Sequence, residues 1–312
     1  MPNIMTHYKF CADRVNDDFK EIALLGSQGP DPFFFYMGSL KKNMKKHSNL
    51  ASTMHRMDPA VMYEYFIDYA LAREDRVKDI LFSFIRGCMY HYCVDRNCHP
   101  YIFYMSGFKT EDIKTKIKFS LSHSALETYI DVLLMEKYGF DVTGKEALKA
   151  PVEQVKLVSV MIYSFAKDVL GCDFINSLSY YDAVVGMRRM QRLFTSKYGI
   201  KKWIYRVLFR KTSLNTMCMP KCVKNNDKLD CLNEQKRSWL EPDTGKKRNE
   251  SFIELLDMSS KDGDIVDGIL NKAFNSKEYK GDLKKFTKNI NHHGITIDGT
   301  KKHYSLIWNR LK

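Results

Sequence analysis

The stretch Ile80-Leu-Phe-Ser-Phe-Ile85, continued by Met89-Tyr-His-Tyr-Cys-Val-Asp95, combines an apolar stripe with a histidine and a carboxylate four residues apart. The apolar positions recur at helical spacing, which predicts a helix over about residues 75–95. Pro100 is expected to mark the end of this helix because proline cannot donate the next backbone hydrogen bond. His91 and Asp95 then lie on one helical face, where both side chains can bind a single cation.

A second stretch, Ser122-His-Ser-Ala-Leu-Glu-Thr128, carries His123 and Glu127 at the same spacing within a predicted helix over residues 110–138. Imidazole and carboxylate groups are common zinc ligands. Six of the nine histidines fall within the first 123 residues. The other candidate ligands are His7, Asp31, His47, His55 and His99. The pattern predicts a multinuclear metal site.

Helical patterns recur along the rest of the chain, whereas strand signals are scarce, so the fold is predicted to be all-α. The other predicted helices cover residues 8–25, Pro59 to about Arg73, Val155–Leu170, Asp182–Tyr198, Lys202–Leu208 and Ser251–Phe274. Gly26-Ser-Gln-Gly-Pro-Asp-Pro32 breaks the first of them, and its prolines stiffen the turn around Asp31. Residues 212–250 look irregular, and the tail after residue 275 has signals of a short strand or hairpin around Ile295–Tyr304.

Composition and charge indicate a large helical domain with a basic C-terminal part. The 312 residues are 44% hydrophobic and 28% charged, which suffices for a sizeable core. We expect a helical metal-binding catalytic domain over residues 1–205 and a basic C-terminal region over residues 206–312, packed on it or appended to it. Residues 196–312 hold 25 Lys and Arg against 14 Asp and Glu, so they carry +11 of the total +13. Such a surface attracts nucleic acid, acidic lipid headgroups or phosphorylated substrates, or it is simply solvated.

The expected location is the cytoplasm. The first residues lack the basic and apolar segments of a signal peptide. No apolar run reaches the roughly 20 residues that a membrane-spanning helix needs. The cysteines fit this location as buried thiols, notably Cys88, Cys93 and Cys98. A second zinc site at Cys218, Cys222 and Cys231 is a weak alternative because a fourth ligand is not evident.

The candidate ligands also carry a resemblance to a known family. The matching segments are Thr6-His7, Gly29-Pro-Asp31, Met54-His55, His91-Tyr-Cys-Val-Asp95, Cys98-His99-Pro100 and His123-Ser-Ala-Leu-Glu127. In these segments the chain resembles the zinc-dependent phospholipase C family, as a bacterial, intracellular-type member. That family is similar to the fungal single-strand-specific nucleases with a trinuclear zinc site. Trp239-Leu-Glu-Pro-Asp-Thr-Gly245 and Ser251-Phe252 extend the similarity beyond residue 250.

The resemblance implies an all-helical phospholipase C/nuclease-like domain with two or three zinc ions in a cleft. It implies that Asp31, His55, His91 and Asp95 hold one ion, and that His99, His123 and Glu127 hold a second. His7 and a bridging Asp95 would hold a third. Asp31 would also orient or deprotonate the attacking water, and Asp131 is either a partner of a ligand histidine or a surface acid.

Two departures from the family concern single residues. The secreted enzymes use an N-terminal tryptophan to bind the third ion, whereas this sequence starts Met1-Pro2, so that site is expected to be empty or differently built. His47 and His55 compete for one ligand position. His55 is favoured because it has the family's Met-His context, while His47 stands in a basic, exposed-looking stretch.

The predicted function is that of a zinc-dependent phosphoric ester hydrolase, phospholipase C-like, in which metal-activated hydroxide attacks phosphorus. Its substrate is a phospholipid headgroup, a nucleic acid or a small phosphoester. One alternative is a nuclease that uses the same metal site. Another is a non-catalytic basic protein that binds nucleic acid or an anionic membrane peripherally and keeps the metal for structure. Phe33-Phe-Phe-Tyr36 and Tyr101–Tyr104 either contact substrate or, as we favour, pack in the core.

Overall fold

The computed structural model describes residues 4–37, 41–107, 113–140, 144–195, 200–209, 213–219, 230–299 and 303. The longer helices are α1 (Ile4–Ala12), α3 (Lys41–Arg56), α4 (Pro59–Leu71), α5 (Asp75–Ser106), α6 (Ile113–Tyr138), α8 (Val152–Asp168), α9 (Ser179–Phe194), α10 (Ile200–Leu208), α12 (Phe252–Ser276) and α13 (Lys280–Thr287). The short ones are α2 (Lys20–Gly26), the 3-10 helix η1 (Asp31–Phe35), α7 (Gly144–Ala147) and α11 (Ser213–Met217). Strands in this part of the chain are limited to the antiparallel pair β1 (Trp239–Leu240) and β2 (Lys247–Arg248). The prediction of an all-α fold is confirmed.

Helix α5 is the central element, because α1, α2, α4, α6, α8 and α12 all pack against it. One of its close neighbours is α2. A Cβ on Gly87 of α5 would lie 2.0 Å from the carbonyl oxygen of Ala23, so only glycine allows the two helices to approach this closely. The approach brings the end of α2, at Ser27, directly over His91.

The prediction of one helix over residues 8–25 was wrong. The chain forms α1 and α2, with a turn between them. Asp17 explains the break, since its carboxylate accepts hydrogen bonds from the backbone N–H of Phe19 and from Arg86 of α5. Aspartate commonly competes in this way with the helical backbone.

The expected end of α5 at Pro100 was also wrong, because the helix continues to Ser106 and stops before Gly107, whose φ is +75°. Proline removes one helical hydrogen bond. The following turn is nevertheless held by packing, since Tyr101 and Ile102 are buried. Tertiary contacts therefore override the local preference.

Several elements were not predicted, and α3 matters most for the site. Its sequence is largely polar, and its apolar contacts are confined to positions such as Leu50, Ala51 and Met54, all buried. This sparse pattern gave no clear helical signal. His55 lies in the last turn of α3, next to Met54.

The C-terminal region packs directly on the N-terminal helices. Val266, Ile269 and Leu270 of α12 belong to the same hydrophobic core as α5, and Trp239 is buried against Tyr101. The boundary between residues 205 and 206 stays a prediction. The Cys222 position and residues 300–302 and 304 of the expected tail hairpin lie outside the described residues, while an isolated bridge joins Ile290 and Thr296. None of the described helices is both long and apolar enough to cross a bilayer.

Candidate metal centre

The structure brings all eight predicted ligand residues together from five elements. Seven are buried and His123 is half-buried. They are His7 on α1, Asp31 at the start of η1, His55 on α3, His91, Asp95 and His99 on α5, and His123 and Glu127 on α6. Their ligand atoms form three groups, each with its atoms within 4.8 Å of one another.

The first group consists of Asp31, His55 and His91. Nε2 of His55 lies 3.0 Å from Oδ1 of Asp31 and 3.8 Å from Oδ2 of Asp95. Nε2 of His91 lies 3.1 Å from the same Asp95 oxygen. With Asp95, the three residues of this group make up the four that the family resemblance assigned to one ion.

The second group consists of His99, His123 and Glu127. Nε2 of His123 is 3.0 Å from Oε1 of Glu127, and Nε2 of His99 is 3.4 Å from the same oxygen. This is the set that the resemblance assigned to the second ion.

The third group consists of His7, His91 and Asp95. Nε2 of His7 lies 3.3 Å from Oδ1 of Asp95, and this oxygen lies 3.4 Å from Nδ1 of His99. Asp95 therefore contacts residues of all three groups, and its bridging of two ions stays a prediction. His91, however, is close enough to serve the third group as well as the first.

Three of the five candidate ligand histidines are oriented by hydrogen bonds to the main chain. Nδ1 of His55 lies 2.8 Å from the Ala51 carbonyl, and Nδ1 of His91 lies 3.0 Å from the Ser27 carbonyl. Nδ1 of His99 lies 2.9 Å from the carbonyl of His292. Because a carbonyl only accepts, Nδ1 of each ring carries a proton, and Nε2 faces the centre, where the neutral form of the ring offers its lone pair. Metal-binding histidines are characteristically held this way.

The centre contains buried polar atoms that make no hydrogen bond within the described residues. They are both ring nitrogens of His7, Nε2 of His55 and His91, Oδ1 of Asp31, Oδ2 of Asp95 and both carboxylate oxygens of Glu127. Buried polar groups are normally satisfied, because desolvation without a partner costs roughly 1–3 kcal/mol. So many convergent lone pairs therefore fit bound cations.

The electrostatics of the centre favour ionised carboxylates. Burial acts to raise the pKa of Asp95, but the charges of His91 and His99 outweigh it and hold the pKa well below its usual value. Burial likewise opposes ionisation of Glu127, yet His123 and His99 lower its pKa. Burial lowers the pKa of His7, and the nearby His91 lowers it further. The site thus offers anionic oxygens and a neutral imidazole, as a divalent cation requires.

His47 lies outside this centre. Its ring stacks on Tyr36 with centroids 3.6 Å apart, and its Nδ1 is 2.8 Å from the Asn43 carbonyl. Among the described residues it belongs to none of the three ligand groups. The expectation that His47 is exposed was wrong, since its exposed fraction is only 2%.

Asp131 is neither a surface acid nor a direct partner of a ligand ring. It is fully buried, and its carboxylate accepts hydrogen bonds from the backbone N–H groups of Met5 and Thr6 and from the Thr6 hydroxyl. Burial raises its pKa to about 7, although the three donors act to lower it. Asp131 fixes the first turn of α1 and so positions His7.

Sequence reasoning missed His292 and His293. The backbone N–H of His292 donates to the His55 carbonyl and its carbonyl accepts from His99, so one residue braces ligands of two groups. His293 lines an open pocket of about 160 Å³ over the centre. The remaining lining residues are Phe34, Ser52, His55, Arg56, His99, Phe103 and His123. The paired histidines were visible in the sequence, but no periodic pattern links them to ligands far upstream.

The structure places some of the aromatic residues in the core and others at the pocket, and it buries those of the cysteines named above that it describes. Phe33, Phe35 and Tyr101 are core residues, as favoured, while Phe34 and Phe103 line the pocket. Cys88, Cys93 and Cys98 are buried free thiols, as expected, and so are Cys218 and Cys231.

Comparison with known proteins finds no matching family model, no matching curated protein and no matching solved structure. The chemistry assigned to this centre therefore rests on its own residues. These residues form three groups that could each hold a metal ion.

Proposed function

We propose that the chain is a metal-dependent phosphoric ester hydrolase of the phospholipase C type, with two or three zinc ions in the candidate centre. One observation carries the proposal. Asp95 contacts residues of all three adjoining ligand groups, and main-chain carbonyls orient the imidazoles of His55, His91 and His99. Structural zinc sites are usually closed by four protein ligands, whereas three protein ligands leave a position for water or substrate.

The donor set supports zinc in particular. It consists of imidazole nitrogens and carboxylate oxygens, without thiolates among the described groups. Zinc held in this way supplies a Lewis acid and lowers the pKa of a water molecule to about 7. Asp31 is the proposed group that orients that water or takes its proton, because its Oδ1 is buried at the centre without a hydrogen bond to the described residues.

The pocket gives the proposed substrate a route to the centre. His55, His99 and His123 lie in its wall, so the first and second ligand groups both reach it. Arg56 also lines the pocket, and a cationic side chain there suits the negative charge of a phosphoester. Phe34 and Phe103 provide apolar surface for the group attached to the phosphate.

The test has two parts, metal content and turnover. Protein purified without added metal is analysed by mass spectrometry and then assayed with bis(p-nitrophenyl) phosphate, phosphatidylcholine and single-stranded DNA. Zinc at two or more ions per chain, with hydrolysis that a chelator abolishes and zinc restores, supports the proposal. Preference for DNA would identify a nuclease, whereas full zinc content without turnover would leave the metal a structural role.

Variants of the site distinguish its activity from that of a contaminating hydrolase. Asp31→Asn is expected to retain metal better than it retains turnover, because the amide keeps the size but loses the base. His47→Gln is the matched control, since His47 is a buried histidine outside the ligand groups. Equal loss of activity in both variants would contradict the assignment of Asp31.

A further inference from the structure

Helix α10 exposes its apolar side chains instead of burying them. The exposed fractions are 56% for Ile200, 68% for Trp203, 61% for Val207 and 68% for Leu208. None of the residues of this helix is fully buried. An exposed tryptophan beside several exposed aliphatic residues is unusual on a protein surface and marks an interaction site.

The apolar residues form one continuous face. Positions 200, 203, 204, 207 and 208 recur at the three- and four-residue spacing of a helical stripe. Lys201 lies at the edge of this stripe and Lys202 on the opposite face, and their ammonium groups donate to the carbonyls of Arg192 and Asn215. The helix contacts α9 and α11, and the lysine hydrogen bonds add to this attachment, while Ile200, Trp203, Val207 and Leu208 stay exposed.

The surrounding sequence is strongly basic. Residues 183–226 contain 11 Lys or Arg and no Asp or Glu. Arg189, Arg192 and Arg206 of this stretch are exposed on α9 and α10. An apolar face accompanied by cationic side chains is complementary to a bilayer surface with anionic headgroups.

Two other occupants fit less well. A second copy of the chain would bring two basic stretches together, and like charges oppose such an interface. A nucleic acid would be contacted mainly by cations, yet the outward face is apolar and two of the lysines are bonded to the main chain. Tryptophan also suits a bilayer interface, where its ring meets acyl chains and its N–H meets water.

We propose that α10 is a docking helix that lies in the surface of an anionic bilayer, with Ile200, Trp203, Val207 and Leu208 inserted among the headgroups. The inference does not depend on the proposed hydrolysis, because it concerns binding alone. It assigns a role to the basic stretch around α9 and α10 that the metal centre does not explain.

The test is vesicle flotation with the full chain. Vesicles contain phosphatidylcholine alone or phosphatidylcholine mixed with phosphatidylglycerol. The expected result is binding to the mixed vesicles that weakens as sodium chloride is raised, with little binding to the neutral ones. The double variant Ile200→Ser/Trp203→Ser is expected to bind at least about tenfold more weakly, since two inserted apolar side chains are lost.

Ile265→Ser is the matched control. Ile265 is 50% exposed on α12, close to the 56% of Ile200, and its replacement is expected to leave vesicle binding unchanged. Circular dichroism checks that each variant retains its helices. Four results would overturn the proposal: absence of binding to mixed vesicles, equal binding to neutral vesicles, concentration-dependent dimerisation abolished by the double variant, or binding to oligonucleotides instead of vesicles.

Discussion

Replacing Gly29 by alanine should disturb the metal centre although Gly29 is not a ligand. Gly29 has a φ of +52°, and a Cβ at this position would lie 2.5 Å from Cδ2 and 2.9 Å from Nε2 of His91. Ordinary contact begins at 3.4 Å, so the imidazole would have to move by about 0.9 Å. Metal–ligand distances tolerate only about ±0.2 Å.

The expected loss of stability has two parts. A left-handed conformation costs a residue with a Cβ roughly 1–2 kcal/mol. Overpacking against a buried side chain adds about 1–3 kcal/mol. Gly29→Ala should therefore lower the free energy of unfolding by about 2–5 kcal/mol.

Gly171→Ala isolates the backbone part of this cost. Gly171 has a φ of +62°, and a Cβ there would meet nothing within 4 Å. It should cost only about 1–2 kcal/mol and leave the metal content unchanged.

The assays are urea unfolding and elemental analysis of both variants. Gly29→Ala should lose the ions of the two groups that contain His91 and keep the ion of the His99, His123 and Glu127 group. If Gly29→Ala keeps the full metal content and is no less stable than Gly171→Ala, the placement of His91 beside Gly29 is wrong.

Three further predictions concern single groups of the centre. Asp95→Ala should lose more metal than His123→Ala, because Asp95 contacts residues of all three groups. Both variants should retain their helical circular dichroism. Equal losses of metal would contradict the bridging position of Asp95. Burial acts to lower the pKa of His99, but Asp95 and Glu127 outweigh it and raise the pKa to about 9. Below pH 9 a metal must therefore displace a proton from His99. Zinc affinity measured by competition should rise about tenfold per pH unit from pH 7 to 9. A flat profile would refute this. Asp131→Asn should lower the urea-derived free energy of unfolding by about 1–3 kcal/mol, since an acceptor of three hydrogen bonds is impaired; an unchanged value would show that α1 is not held there.

The parts of the site that depend on local spacing were accessible from the sequence. His91 with Asp95 and His123 with Glu127 share helical faces, and a periodicity argument needs only a few residues to place them together. The family resemblance then ordered the remaining ligands. His7 and Asp31 reach the centre through packing between α1, α2 and α5, which spacing alone does not specify.

The features that the sequence did not predict depend on contacts between distant segments. The carbonyl of His292 accepts from His99 across 193 positions, and no local pattern announces such a contact. The rule that proline ends a helix predicts a terminus at Pro100, because it takes no account of the buried residues that follow. For α10 the amphipathic pattern predicted a helix but not its orientation, since periodicity identifies an apolar face without showing what covers it.

The construction of the centre explains why its ligands come from so many elements. Each ligand histidine with an oriented ring is fixed by a carbonyl from a nearby turn or helix, so the positions of Ala51, Ser27 and His292 set the direction of three Nε2 atoms. Without cations, the inward-facing carboxylates and imidazoles pay a desolvation cost that their mutual contacts only partly offset. Bound metal would remove that cost at the point where α1, η1, α3, α5 and α6 meet. We therefore expect metal binding to be coupled to the packing of these five elements, and the same packing forms the pocket proposed for substrate.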